Sequence, residues 1–179
     1  MNISRFNKGR YWAAGVAWLY IIGSISPSAA QSAPNSLAAR VQVLEDKEEI
    51  RNLLIDYGRF LDARDFGKYA RLFAKDGEWV GGFGTTQGPA AIQAFMEKNI
   101  PGANTGHTYH ILSNFEIEVH GDTATAWSRW AFVTPGPDQM PLIAQGGHYD
   151  DTLVRENGHW KFKRRVASND ISRPNPAGK

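Results

Sequence analysis

The chain has 179 residues, of which 20 are basic, 18 are acidic and none is cysteine. The lack of cysteine excludes disulfide bonds, a thiolate nucleophile and cysteine-ligated metal sites, and the balanced charge argues against nucleic-acid binding. A chain of this length suits a single domain with one hydrophobic core.

The first thirty residues predict a secretory signal peptide. Arg5, Lys8 and Arg10 precede an apolar run from Tyr11 to Ile25, which is shorter than the ~20 residues of a membrane-spanning helix. The small residues of "SPSAAQ" offer cleavage after Ala30; an uncleaved anchor is the alternative. Because this segment holds three basic residues and no acidic ones, 17 basic and 18 acidic residues remain after cleavage. We therefore expect a periplasmic or secreted protein that makes no membrane contact once the signal is removed.

The next segment, up to residue 100, has a helical pattern. A capping residue at Asn35 or Ser36 predicts a helix that ends near Ala63. Shorter helices are predicted at Phe66–Phe73 and from Gly88-Pro89 to Phe95, where proline occupies the first helical position. One face of the long helix forms an apolar stripe at helical spacing: Ile50, Leu53, Leu54, Tyr57 and Leu61.

The rest of the chain has a β pattern. Four strands are predicted: Thr108–Val119, Thr123–Thr134, Gly147–Glu156 and His159–Asp170. Helices followed by antiparallel strands predict an α+β fold, in which a curved sheet wraps the N-terminal helices. Residues 171–179 are rich in proline and glycine and are expected to form a flexible tail.

The last two strands are joined by Asn157-Gly158, a strong two-residue hairpin signal. Regular pairing from this turn places Asp151 opposite Arg164 on the interior face, together with Tyr149 and Val166. A half-buried ion pair is therefore predicted, and a structural role for it is favoured over direct catalysis.

Three stretches carry a resemblance to a known family: "LEDKEEIRNLLIDYGRFLDARDFGKYARLFAKDG", "TYHILSNFEIEVHGDTATAWSRW" and "GGHYDDTLVRENGHWKFKRRV". They resemble the SnoaL-like members of the nuclear transport factor 2-like superfamily from Leu44 to Val166. The resemblance implies one SnoaL-like domain at residues 31–170, a cone-shaped barrel with one deep pocket. The superfamily includes dehydratases, isomerases, epoxide hydrolases, cyclases and non-catalytic proteins, so the fold alone does not name a reaction.

Within this superfamily, scytalone dehydratase is a useful comparison for the chemistry. Its catalytic Asp and His match Asp62 in "DARDF" and His110 in "HILSNF". Its water-binding tyrosine, second histidine and asparagine fall at Gly81, Thr134 and Tyr149, so the same substrate does not follow. The resemblance thus implies an Asp–His acid/base pair; an ordinary acid at a helix end is the alternative for Asp62.

Strand alternation alone would place His110 on the polar face with Glu116 and Glu118. The ring reaches the pocket only if a β-bulge near Ser113-Asn114 shifts the parity of the strand. The resemblance favours that bulge; a surface histidine is the alternative.

The remaining candidate residues are aromatic. Tyr57 and Tyr149 are predicted to hold a substrate oxygen, although core packing explains them equally well. Four more are predicted to contact substrate: Trp79, Phe83, Trp130 and Phe132. Arg64 and Asp65 are interpreted as charges at a helix end.

No cofactor or metal is expected. His107 and His110 point to opposite faces of a strand, and "GGFGTTQG" lacks the Lys-Ser/Thr of a phosphate loop. The sequence therefore predicts a cofactor-independent acid/base lyase (dehydratase-like) or isomerase for a small hydrophobic, aromatic or polycyclic compound with hydroxyl or carbonyl groups. A non-catalytic small-molecule-binding protein is the alternative, and an Asp-activated water, as in epoxide hydrolysis, is a third.

Trp127 alternates to the outer sheet face, which favours a homo-oligomer, most simply a dimer.

Overall fold

The computed structural model describes residues 36–100, 102 and 107–172, and the side chains in these ranges up to residue 171. The predicted signal peptide and most of the predicted tail lie outside the described residues. No helix in the described ranges is long and apolar enough to cross a membrane.

The described ranges fold into helices packed on one sheet. The helices are α1 (Leu37–Asp62), α2 (Phe66–Ala70) and α3 (Pro89–Asn99). The strands are β1 (Phe73–Gly81), β2 (Gly84–Gln87), β3 (Tyr109–His120), β4 (Thr123–Pro135), β5 (Pro141–Glu156) and β6 (His159–Ser172). The predicted α+β class is confirmed. The second helix is shorter than predicted, because the chain enters β1 at Phe73 and pairs there with β6.

The six strands form one sheet in the order β2-β1-β6-β5-β4-β3. Its pairs are antiparallel except β1–β6, which is parallel. The sheet is curved and remains open, with β2 and β3 at its edges. Helix α1 packs mainly against β3, which brings the end of that helix to the first long strand.

Ser36, one of the two predicted capping residues, caps helix α1: its hydroxyl accepts a hydrogen bond from Ala39 N–H at 3.1 Å. Its predicted apolar stripe is buried. Gly58 lies on the same helix where it meets β3: a Cβ there would come within 2.5 Å of Leu112 Cδ1. The missing side chain therefore allows a close approach between α1 and β3, one turn before Asp62.

The predicted hairpin register holds near the turn and then fails. Asn157 and Gly158 have φ of 54° and 82°, and Leu153 pairs with Phe162. Beyond that pair the register shifts between Thr152 and Leu153, so Asp151 lies opposite Arg165. A bulge adds one residue to one strand and reverses which side chains face inward.

The predicted Asp151–Arg164 ion pair is therefore wrong. Arg164 is exposed and donates to Glu78 at 2.7 Å, whereas Arg165 takes the buried position beside Asp151. Val166, also predicted to face inward, is only partly buried for the same reason.

Asp46 ties α1 to the far end of the sheet. Its Oδ1 accepts hydrogen bonds from Arg155 at 2.7 Å, Gln42 at 3.2 Å and Trp160 Nε1 at 3.3 Å. Burial opposes the charge of this carboxylate, but these hydrogen bonds outweigh it and hold the pKa of Asp46 below its usual value.

Candidate active site

A cavity of about 570 Å³ lies between the helices and the sheet, a volume typical of small-molecule sites. Seven of the residues singled out in the sequence line it: Tyr57, Trp79, Phe83, His110, Trp130, Phe132 and Tyr149. The sequence analysis missed other lining residues, including Tyr69, Asn99, Gln145 and Asn169, and took Arg64 for a helix-end charge.

His110, which lines this cavity, is in direct contact with Asp62. Asp62 Oδ1 lies 2.6 Å from His110 Nδ1, and Asp62 Oδ2 accepts a hydrogen bond from the His110 backbone N–H at 2.8 Å. Only 19% of the Asp62 side chain and 15% of the His110 side chain are exposed. In the neutral ring, an Nδ1–H donated to the carboxylate leaves the Nε2 lone pair as the proton acceptor.

A β-bulge in β3 aims His110 at Asp62. The β3–β4 register shifts between Ser113 and Glu116, and Asn114 within this interval has φ of 54°. His110 and Leu112 before the bulge therefore face the same interior as Ile117 after it. The bulge that the sequence analysis favoured is confirmed.

Aromatic rings form one wall of the cavity beside His110. The His110 ring lies 4.8 Å from the Phe132 ring and 6.2 Å from the Trp130 ring, measured between centroids. The Trp130 ring in turn lies 5.9 Å from Tyr149. A flat apolar molecule would be held against this wall by stacking and edge contacts.

Phenol hydroxyls form a second feature of the cavity. Tyr57 Oη accepts a hydrogen bond from Trp79 Nε1 at 3.0 Å, and its ring lies 4.7 Å from Tyr69 and 5.3 Å from Tyr149. Burial raises the pKa of Tyr69 and of Tyr149 well above the usual value, so both phenols stay protonated and can donate hydrogen bonds. Tyr69 could not be singled out from sequence, because it lies in a short apolar helix.

Arg165 supports these phenols from behind. Its Nε and Nη2 donate to Asp151 Oδ1 and Oδ2, both at 2.7 Å. The guanidinium is 0% exposed, and its carbon lies 4.0 Å from the Tyr57 ring centroid and 4.2 Å from that of Tyr149. Burial alone disfavours its charge, but the Asp151 carboxylate offsets this and holds the pKa of Arg165 above its usual value. Burial raises the pKa of Asp151, so its ionised form depends on Arg165.

Comparison with known proteins identifies the family. Residues 42–166 match the model of the SnoaL-like domain, which is more than half of the chain. The chain belongs to the SnoaL-like family.

Similar proteins are found in Mycobacterium tuberculosis and Novosphingobium aromaticivorans. The uncharacterised protein Rv2910c of Mycobacterium tuberculosis is 31% identical over 133 residues, which cover 70% of this chain and 86% of Rv2910c. A crystal structure of an NTF2-like protein with a cystatin-like fold from Novosphingobium aromaticivorans has a TM-score of 0.65 and 30% identity. The match covers 76% of this chain and 89% of that one.

A third similar structure is the hexachlorocyclohexane dehydrochlorinase LinA-type3 from Novosphingobium barchaimii. Its TM-score is 0.63, its identity is 20%, and the match covers 77% of this chain and 95% of that chain. At this identity the similarity shows the shared fold.

The other histidines of the SnoaL-like protein lie apart from the Asp62–His110 pair. His107 and His159 are exposed, and His148 contacts Asp170 at 2.8 Å. In the described ranges, no three His, Asp or Glu side chains converge as they would to ligate a metal ion.

Proposed function

We propose that this SnoaL-like protein is a cofactor-independent acid/base enzyme, either a dehydratase-like lyase or an isomerase. The observation that carries the proposal is the 2.6 Å contact of Asp62 Oδ1 with His110 Nδ1 at the wall of an aromatic cavity. A histidine oriented by a carboxylate, with its second nitrogen available, is an arrangement suited to proton transfer.

In this reaction His110 Nε2 removes a proton from a carbon next to a carbonyl or hydroxyl-bearing carbon. Asp62 holds the ring in place and stabilises the imidazolium that forms. Tyr57, Tyr69 and Tyr149 donate hydrogen bonds to the substrate oxygen as it gains negative charge. The electron pair of the broken C–H bond forms a double bond.

The fate of the proton distinguishes the two reaction types. In elimination, the C–O bond to the leaving hydroxyl breaks and the imidazolium returns its proton to that oxygen, which releases water. In isomerisation, the imidazolium returns the proton to a different carbon. A structure with this fold is named a dehydrochlorinase, which supports elimination as a chemistry that the fold can host.

The aromatic wall supports a hydrophobic substrate that is aromatic or polycyclic. Its size is limited by the cavity of about 570 Å³. A ligand screen tests this proposal first: the thermal unfolding midpoint is measured with hydroxylated aromatics, terpenoids and steroids. Compounds that raise the midpoint are then assayed for turnover with the wild type and with His110→Ala. Turnover that is unchanged in His110→Ala would contradict the proposal, and binding without any turnover would favour a non-catalytic binding protein.

We also propose that the protein is periplasmic or secreted after cleavage behind Ala30, and that it forms a homodimer through the outer face of the sheet. Trp127 lies on that face; its ring stacks on His148 at 6.0 Å and on the Arg129 guanidinium at 5.1 Å. These groups offer a broad, partly aromatic surface to a second copy.

A further inference from the structure

Arg64 is the one residue with a permanent charge among the described residues that line the cavity. The carboxylates of Asp62 and Asp151 have strong partners of their own. Asp62 holds His110 through both oxygens, and Asp151 holds Arg165 through both of its oxygens. The cavity wall therefore carries a positive charge at Arg64 that none of the ion pairs between described residues neutralises.

Arg64 is placed there by the end of α1. Its backbone has φ of 58°, in the left-handed region, and its N–H donates to the Leu61 carbonyl at 3.1 Å. This turn reverses the chain after Asp62 and returns the Arg64 side chain over the helix end, where Nη1 donates to the Leu61 carbonyl at 2.7 Å. This hydrogen bond satisfies a carbonyl at the helix end and explains the position of Nη1. It does not involve the other two guanidinium nitrogens, Nε and Nη2.

Nε and Nη2 together form an edge of the guanidinium that can donate two parallel hydrogen bonds to a carboxylate. Arg64 Nε is buried and has no hydrogen-bond partner, and Nη2 makes no hydrogen bond or ion pair with the described residues. In the same protein, Arg165 uses Nε and Nη2 together to hold the two oxygens of Asp151. A buried donor without a partner is unfavourable, so an acceptor that binds there would be favoured.

We propose that Arg64 anchors an anionic group of the substrate, and that the substrate is an aromatic or polycyclic carboxylic acid. The carboxylate pairs with Nε and Nη2 of Arg64 after a small adjustment of the buried Nε. The apolar body of the molecule packs against Trp130 and Phe132, within reach of His110. This inference rests on the proposed function, whose substrate class it makes specific.

The test compares two ligands of almost equal shape, 2-naphthoate and 2-naphthamide. Their dissociation constants for the mature protein are measured from the quenching of tryptophan fluorescence, because Trp79 and Trp130 line the cavity. Wild type should bind the carboxylate at least about tenfold more tightly than the amide, and Arg64→Gln should reduce that ratio to about one. Arg51→Gln is the matched control, since Arg51 lies on α1 and pairs with Glu48 on the surface.

Arg64→Lys is a second variant for the case in which Arg64→Gln fails to fold. Lysine keeps the positive charge but cannot donate two parallel hydrogen bonds to a carboxylate. The preference of this variant for the carboxylate over the amide should therefore lie between those of wild type and Arg64→Gln. Equal binding of the two ligands by wild type would overturn the inference, as would a preference that survives in Arg64→Gln. The preference should persist in His110→Ala, which separates anchoring from catalysis. Turnover of a neutral substrate that depends on His110 but not on Arg64 would overturn this inference and leave the proposed function standing.

Discussion

Asp62 binds one residue in two ways, through the ring Nδ1 and through the backbone N–H of His110. The second contact fixes the carboxylate to the strand, so the ring cannot turn without losing its own hydrogen bond to Oδ1 of that fixed carboxylate. Such rigid placement is what a proton-transfer group needs, because small errors in position slow the reaction strongly.

Tyr57 and Tyr69 differ in their hydrogen bonding, and this difference predicts different effects of removing each hydroxyl on stability. Tyr57→Phe removes the acceptor of the Trp79 N–H and should lower the free energy of unfolding by about 1 kcal/mol. Tyr69→Phe removes a buried hydroxyl that has no partner and should leave that free energy unchanged or raise it. Urea denaturation of the two variants measures both effects. A larger loss for Tyr69→Phe than for Tyr57→Phe would contradict the assignment.

At the scale of elements, two adjacent glycines in β5 differ in the space around them. A Cβ at Gly147 would lie 1.9 Å from the Ser168 carbonyl oxygen, whereas a Cβ at Gly146 would lie 3.5 Å from the Trp130 carbonyl oxygen, an ordinary contact distance. Gly147→Ala must therefore push β5 and β6 apart and should cost roughly 3 kcal/mol of stability. Gly146→Ala, the control, should cost less than about 1 kcal/mol. Similar denaturation midpoints for the two variants would rule out this close approach.

Asp46 links α1 to β5 and β6, and its charge predicts how stability depends on pH. Its pKa is lower in the folded protein than in the unfolded chain, so the stabilisation is complete above about pH 4 and is lost as the pH falls through the lower folded value. Asp46→Asn should cost about 2 kcal/mol at pH 7 and should flatten the loss of stability at acidic pH.

The control for Asp46 is Asp56→Asn. Asp56 lies on the same helix in a mostly exposed pair with Arg59, and its replacement should have little effect. Urea midpoints measured from pH 7 to pH 3 compare the three proteins. Parallel pH profiles for wild type and Asp46→Asn would show that this carboxylate does not couple stability to pH.

The sequence predicted the elements better than their registers. Helical spacing, the Ser36 cap and the Asn157-Gly158 turn each depend on neighbours in the chain, and each matches the structure. The bulge in β6 depends on how β5 and β6 pack on the helices, so no local signal marks it. The sequence could not show that the predicted partner of Asp151 was wrong. Arg164 and Arg165 follow each other in the chain, and either one could pair with Asp151.

The candidate site shows the same division. Strand alternation alone would have placed His110 on the outer face, and only the resemblance to a family favoured the bulge that turns it inward. Arg64 lies at the cavity because of the turn after α1, and Tyr69 lies there because of the packing of α2. Neither feature has a periodicity that could be read in advance.

At the scale of the whole molecule, the proposed homodimer makes a prediction about mass. Light scattering after gel filtration should give twice the monomer mass at micromolar concentration. Trp127→Glu should shift the protein to monomer, because it places a charge in the proposed interface. Tyr109→Glu, at an exposed site on edge strand β3, is the control and should not change the mass. A monomeric wild type would contradict the proposed assembly.

The central claim is that Asp62 and His110 act as one proton-transfer unit, and steady-state kinetics of a double-mutant cycle test it most directly. For the first substrate that the ligand screen yields, kcat and ligand affinity are measured for wild type, Asp62→Asn, His110→Ala and the double variant. Each single change should lower kcat by about 10²–10⁴-fold with little change in affinity. The double variant should be scarcely slower than the worse single one, because groups that act as a unit are not additive. Normal kcat in Asp62→Asn, or independent effects that multiply in the double variant, would contradict the claim.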